Sequence, residues 1–411
     1  VRSRGLGDVY KRQVVPLITL VLLSLGQAKL LPWWAFTAPL MVGLLVTRAF
    51  RSRVEQSLSV SASRESSLGR YAEMLARVES EKFESKALRE LSSSLSAVSG
   101  SATVEMARLG RIVAFVDARE NEFFRIFVAP VLLWDVHCAV ALEAWRHRAG
   151  KSASKWFSAL SEMESYASLA TFAFENPENA YPVITDGPTF VAKKLGHPLL
   201  VPGKRVGNDV SFTGRGSTLV VTGSNMSGKS TLLRALGANA VLARTGAPVC
   251  ADSLEIGRFS VATSMRVRDS LDEGVSRFYA ELRKLKVVLD MARASRDEGA
   301  GRTTFFLLDE ILHGTNTRER LIGARAIVHE LVSLGAIGAV STHDLALGDL
   351  EAELPGRVRN VHFEEQVEGE IMSFDYALRS GVVQSSNALR LMRIVGLDVL
   401  PDADLSKKEA S

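Results

Sequence analysis

Hydrophobic and polar positions follow three different patterns along this chain, and each predicts a different kind of element. Residues 14–25 are almost wholly apolar, 26–34 form a break carrying Lys29, and 35–46 are apolar again before Arg48, Arg51 and Arg53. Each run is short of the roughly 20 residues a membrane span needs, but counting residues 30–34 as interfacial ends, with Trp33 and Trp34 as an aromatic belt, brings both close. The pattern predicts an N-terminal transmembrane hairpin over 14–50, with the arginines holding the rest of the chain on the cytoplasmic side of a bacterial inner membrane. A signal peptide is disfavoured because no small-residue cleavage site follows the first run. Residues 1–13 do not resemble a native segment and are set aside as a leader.

From 55 to 176 the apolar residues recur at three- and four-residue spacings. Leu68, Tyr71, Leu75 and Val78 make one stripe, Leu88, Leu91, Leu95 and Val98 a second, and Trp156, Leu160 and Met163 a third; all three read as core seams of an all-α region over 51–185. Residues 123–145 are the most apolar of this region, but Arg125, Asp135, His137 and Glu143 interrupt them, so a buried helix is expected there in preference to a third span. His137 and His147 lack partners at metal-ligand spacing. Pro177 and Pro182 break the helices.

Beyond 186 short apolar runs of strand length alternate with helical runs, the signature of a parallel α/β sheet. Residues 219–221 precede Thr222-Gly223-Ser224-Asn225-Met226-Ser227-Gly228-Lys229-Ser230-Thr231, and a helical run, 232–242, follows. Glycines at 223 and 228 let the backbone wrap a polyphosphate so that successive N–H groups and the helix N-terminus face the anion; Lys229 supplies charge to the β- and γ-phosphates, and Ser230 a hydroxyl to Mg²⁺. Residues 305–308 form an apolar run ending in Asp309-Glu310, where Asp309 would hold the Mg²⁺ shell and Glu310 would polarise the attacking water. A loop, His313-Gly314-Thr315-Asn316-Thr317, leads into a helix with Leu321, Ala324, Val328 and Leu331 on one face and Gly335 as its stop. The next buried run, 336–340, ends in Ser341-Thr342-His343-Asp344. This places His343 on the same sheet edge as Glu310, where it can contact a γ-phosphate or the attacking water. Upstream, Phe278, Leu282, Leu285 and Leu289 define one side of an amphipathic helix with Ser276 at its start.

Composition changes this picture little. A chain of 411 residues with 46% hydrophobic content has room for two or three cores, which excludes a disordered protein. A net charge of +4 permits contact with nucleic acid without demanding it. Cys138 and Cys250 lie far apart and outside zinc-ligand spacing, so neither a disulfide nor a zinc site is expected.

Together, 222–231, 308–317 and 341–344 resemble the MutS mismatch-repair ATPases of the ABC-type superfamily, with Asn225-Met226 and Gly314-Thr315 as the most specific pairs. Asp269 to Glu281, with Gly274, Ser276 and Phe278, is similar to the family's signature segment, although Arg277 stands where a threonine is usual. The resemblance extends through Asn360-Val361-His362-Phe363, Phe374, Tyr376 and Gly381-Val382 to Gly396-Leu397. It implies an ATPase domain over 186–402, with a polar tail over 403–411, ATP and Mg²⁺ as cofactors, and a homodimer in which Ser276 completes the partner's nucleotide site. The fold expected is therefore an α/β P-loop ATPase domain, with an ABC/MutS-like sheet flanked by helices, preceded by an all-α region and the transmembrane hairpin. The N-terminal half departs from repair members: about 130 helical residues leave no room for a mismatch-sensing domain plus full levers and clamps. Phe363-Glu364-Glu365, the only match to the family's Phe-x-Glu wedge, falls after His343 in a strand-like context. The expected function is ATP binding and hydrolysis coupled to association with mismatched or structured DNA at the membrane, with basic groups such as Arg146, His147, Arg148, Lys151 and Lys155 as candidate phosphate contacts. A membrane-anchored ATPase engine or a nucleotide-gated scaffold with no DNA substrate is the alternative.

Overall fold

The computed structural model describes residues 65–265 and 277–383, except 97–99, 119–120, 125–127, 130, 298–301, 313–314 and 369–370, together with parts of 17–45. The chain divides into two compact units, Val1–Ser168 and Leu169–Ser411.

In the first unit the helical stripes become four helices, α1 (Glu65–Ser80), α2 (Lys86–Ser96), α3 (Ala102–Asp117) and α4 (Trp134–Glu175). Leu75, Leu95, Met106, Trp145, Trp156 and Leu160 form one core, with Leu68, Val78 and Leu91 packed against it. Tyr71 stays at the surface with its ring edge-on to Phe157 at 5.2 Å. The start of α3 is fixed by its neighbour: Ser101 caps Val104 N–H, and the Glu79 carboxylate accepts from Ser101 Oγ at 2.7 Å and Ala102 N at 2.8 Å. Within the apolar run 123–145 the long helix α4 starts at Trp134, and Phe123 is exposed.

The basic group on α4 is largely matched by acids of the same unit. Arg148 donates to both oxygens of the buried Glu105, at 3.2 and 3.1 Å, while Arg146 and His147 lie 3.4 and 3.3 Å from Glu143.

The hairpin expectation is overturned. Among the described residues no helix is long and apolar enough to cross a membrane. A helical segment of about 12 residues spans only about 18 Å against a hydrocarbon core of about 30 Å. The break between the runs takes no part in a span either: Lys29 sits in a turn with φ +59°, and Trp33–Phe36 forms a single 3₁₀ turn. The inner-membrane location rested on that hairpin alone and falls with it.

The second unit is α/β, built on two sheets. A four-stranded sheet has the order β1 (Val183–Ile184), β5 (Ser253–Ile256), β2 (Thr189–Leu195), β3 (Asn208–Thr213). A six-stranded sheet runs β10 (Ile371–Ser380), β9 (Val358–Glu368), β4 (Thr218–Thr222), β8 (Ile337–Ser341), β7 (Thr303–Asp309), β6 (Phe259–Ser264), all parallel except β10. Its central strands β4 and β8 are buried at every position because both faces are covered. Leu219 and Val221 of β4, Phe305 and Leu307 of β7 and Ala339 of β8 point into a core shared with helix α5 (Lys229–Thr245) and the second sheet. The alternate residues Val220, Phe306, Leu308 and Val340 meet α6 (Arg277–Asp297) and α7 (Thr317–Ser333) on the opposite face. Phe305 stacks between Phe190 at 5.2 Å and Phe259 at 5.3 Å.

The helix boundaries follow local chemistry. Asn316 caps α7 by accepting Glu319 N–H at 2.9 Å, and Gly335, at φ +78°, lies just past its end. On α6 the buried face is Glu281, Leu285, Val288 and Ala292, whereas Leu282, assigned to that face by apolarity, is 38% exposed. The seam passes through a carboxylate, which a count of apolar residues skips.

Candidate functional site

Three parallel strands end level with one another, and their registers decide which loops meet. Val221 of β4 pairs with Ser341 of β8, which pairs with Asp309 of β7. The next residues of each strand therefore emerge at one edge, the carboxyl edge where ligands bind in open α/β sheets: the 223–228 loop, Glu310, and Thr342-His343.

Gly223 and Gly228 adopt φ +144° and +112°. A Cβ at 223 would lie 2.9 Å from Phe363 O and one at 228 would lie 3.3 Å from the Tyr376 ring, so backbone conformation and close approach both demand glycine. Asn225 and Met226 are exposed at the tip, with Met226 at φ +68°. The hydroxyls of Ser224 and Ser227 are buried without a hydrogen-bond partner. Donors of this kind, beside the N-terminus of α5, suit a phosphate oxygen.

Lys229 is only 4% exposed. Its ammonium donates to Gly223 O at 2.8 Å and Ser224 O at 2.7 Å and lies 3.7 Å from Glu310 Oε1. Burial pushes its pKa below the usual lysine value, while Glu310 and Asp309 act in the opposite sense. The lysine tip is enclosed by its own loop.

Asp309 Oδ1 accepts from Ser230 Oγ at 3.0 Å and from Ser341 Oγ at 2.6 Å. The Ser230 hydroxyl and Asp309 carboxylate thus form a hard-oxygen pair of the kind Mg²⁺ takes when it keeps waters and phosphate oxygens as its other ligands. Groups of three or more His, Cys, Asp or Glu able to hold a metal are absent among the described residues. His343 links the two halves of the site: Nδ1 is 3.3 Å from Lys229 Nζ and Nε2 contacts Glu310 Oε1. An ammonium offers only donors, so Nδ1 accepts and the ring proton sits on Nε2, facing Glu310.

The sequence missed the cavity beside the loop. It measures about 430 Å³ and is lined by His197, Val206, Asn208, Met226, Thr231, Phe363 and Tyr376 among others. A register shift in β10 between Phe374 and Leu378, with Tyr376 at φ +53°, turns the Tyr376 ring toward Gly228. Asn208 fixes that bulge, donating to Tyr376 O at 3.0 Å and accepting Leu378 N–H at 2.7 Å. His197 is pushed below the ordinary histidine pKa by burial and by Arg234. The bulge leaves no local signal beyond an aromatic in a strand, and the pocket exists only once β10 folds over the loop.

Ser276, His313 and Gly314 lie outside the described residues, as does most of the C-terminal stretch that carried the resemblance past Val383. Phe363 of the Phe-Glu-Glu sequence is 2% exposed within β9, in the core.

Residues 219–408 match the family model "MutS domain V". Relatives named DNA mismatch repair protein MutS include those of Natronomonas pharaonis, 30% identical over 243 residues, Shouchella clausii, 31% over 244, and Aquifex pyrophilus, 29% over 256. These matches cover 58, 58 and 61% of this chain, and 27, 27 and 29% of the respective relatives. The chain therefore matches less than a third of the length of these curated relatives. Within the second unit, residues 219–408 are therefore similar to MutS domain V, and the MutS relatives are matched over part of their length.

Proposed function

We propose that the chain binds and hydrolyses ATP at this sheet edge, works as a dimer, and couples its nucleotide state to association with DNA. The observation that carries the proposal is the convergence of Lys229, Ser230, Asp309, Glu310 and His343 from three neighbouring strands. The 223–228 backbone, with Ser224 and Ser227, cradles the phosphates, and Lys229 leaves its loop carbonyls to pair with them. Ser230 and Asp309 would hold Mg²⁺, which would supply charge neutralisation at the phosphate oxygens. Glu310 orients the attacking water, and His343, by donating from Nε2, holds the carboxylate in place and stands next to the Lys229 charge. Tyr376, Phe363 and Val206 give the cavity flat and apolar walls suited to a nucleobase. Ser276 acts on the partner's nucleotide.

DNA association enters from the relatives' name as mismatch repair proteins. The pairing of Arg148 with Glu105, and of Arg146 and His147 with Glu143, favours a second reading, an ATP-driven switch that does not grip DNA through this end of α4. Phosphate release by the full chain with Mg²⁺ and ATP tests the first step. Turnover is expected, falling by roughly 10²-fold in Glu310→Gln with ATP still bound; a parent without turnover refutes hydrolysis. Retention on duplex, mismatched and branched DNA, with and without ATP, separates the two readings: salt-dependent, ATP-sensitive retention supports the first, and none supports the second.

A further inference from the structure

The turn that carries Glu310 is held from both sides. On one side the Glu310 N–H faces Ser341, with Oγ at 3.1 Å and the carbonyl at 3.2 Å. On the other, the Leu312 N–H donates to Glu281 Oε1 at 2.6 Å. Between these anchors the backbone is unusual: Glu310 lies at φ +50° and Leu312 at φ +62°, the left-handed region that side chains of this size rarely enter. Such conformations persist only where surrounding contacts over-determine them.

Glu281 is placed to do this and little else. It comes from α6, an element separate from both strands, and is 6% exposed on the helix face that also buries Leu285 and Val288. Ile311 and Leu312 belong to the same core as those two residues, at 5% and 4% exposure. A carboxylate on such a face is unfavourable unless its oxygens find donors, and the Leu312 N–H is one. No water-activating or phosphate-binding task falls to this residue.

Resting on the ATPase function proposed above, we propose that Glu281 is a positioning residue for hydrolysis. By fixing the Leu312 N–H it holds the turn in the left-handed form that presents the Glu310 carboxylate to His343 and Lys229.

The test compares the full-length parent with Glu281→Gln, which keeps an acceptor oxygen, and Glu281→Met, which keeps the volume and removes the acceptor. Three readouts are taken: steady-state phosphate release, KM for ATP, and hydrogen exchange at the Leu312 amide without nucleotide. E281M is expected to exchange Leu312 faster and to lose about tenfold or more in kcat, with KM within about twofold, because a small misplacement of a reacting group is costly. E281Q is expected to stay within about threefold of the parent in both exchange and kcat. An E281M protein with parental exchange or parental kcat overturns the proposal, as does E281Q failing to the same degree as E281M. If E281M does not fold, E281Q decides, since a tenfold loss there overturns the proposal and parental behaviour upholds it. A parent that exchanges slowly at Leu312 yet releases no phosphate brings down the ATPase function instead, and the positioning role with it.

Discussion

Replacing Lys229 with methionine separates two roles of this buried lysine, one in folding and one in binding. The ammonium makes two hydrogen bonds to loop carbonyls, at 2.8 and 2.7 Å, in a position only 4% exposed. Hydrogen bonds from a charged donor contribute about 1.5–3 kcal/mol each, and taking an ammonium out of water costs several kcal/mol. The direction of the pKa decides the balance: burial is the largest influence and lowers it despite Glu310 and Asp309, so the surroundings disfavour the charged form relative to water. Removing the charge should therefore change the unfolding free energy of the nucleotide-free protein by no more than about 1 kcal/mol, a shift of about 2–4 °C in Tm for a unit of this size. The sign against pH follows. The folded state binds fewer protons here than the unfolded state, so the parent gains stability over Lys229→Met as pH rises through the depressed folded pKa toward 10.5. ATP affinity should fall by roughly 10²-fold or more, about 2.7 kcal/mol, since the cation facing the β- and γ-phosphates is gone. Urea unfolding and calorimetric titration with ATP measure the two effects. Parental ATP affinity in the mutant refutes the phosphate-loop assignment. A stability loss above about 2 kcal/mol refutes the balance drawn between burial and hydrogen bonding.

Three further outcomes are expected. Lys229→Ala and Ser276→Ala should each be nearly inactive, while mixing them under subunit exchange restores part of the phosphate release through heterodimers holding one intact composite site; a mixture no better than its components rules that site out. Tyr376→Ala should raise KM for ATP by about 5- to 150-fold with kcat little changed, the loss of one base–aromatic stack at about 1–3 kcal/mol; an unchanged KM would show that the base does not sit in the 430 Å³ cavity. Because His197 has a depressed pKa in the folded state, stability should fall as pH drops from 6.5 through that lower value, and His197→Asn should flatten this slope in urea titrations; equal slopes would remove His197 as the cause.

The sequence by itself determined the parts whose physics is local. A strand followed by glycines and a lysine, a fully apolar run closed by two acids, and a helix stopped by Gly335 each announce themselves within a dozen residues, because turn chemistry and hydrophobic period act over that range. Even the shared edge of Glu310 and His343 was legible, since parallel strands of similar length end together. Tertiary structure decided what depends on reach across the fold. The order β4, β8, β7 sets Ser341 between the loop and the acids, and the bulge in β10 turns Tyr376 over Gly228. Lys229 proved buried because β8 and β7 bring His343 and Glu310 against it. Glu281 was passed over for the same reason: on a helical wheel it is one more surface acid, and only the packing of α6 on the turn after β7 gives it a partner. At the N-terminus apolar composition was mistaken for a membrane hairpin, because hydrophobicity states that a segment avoids water and leaves to length and surroundings the question of what covers it.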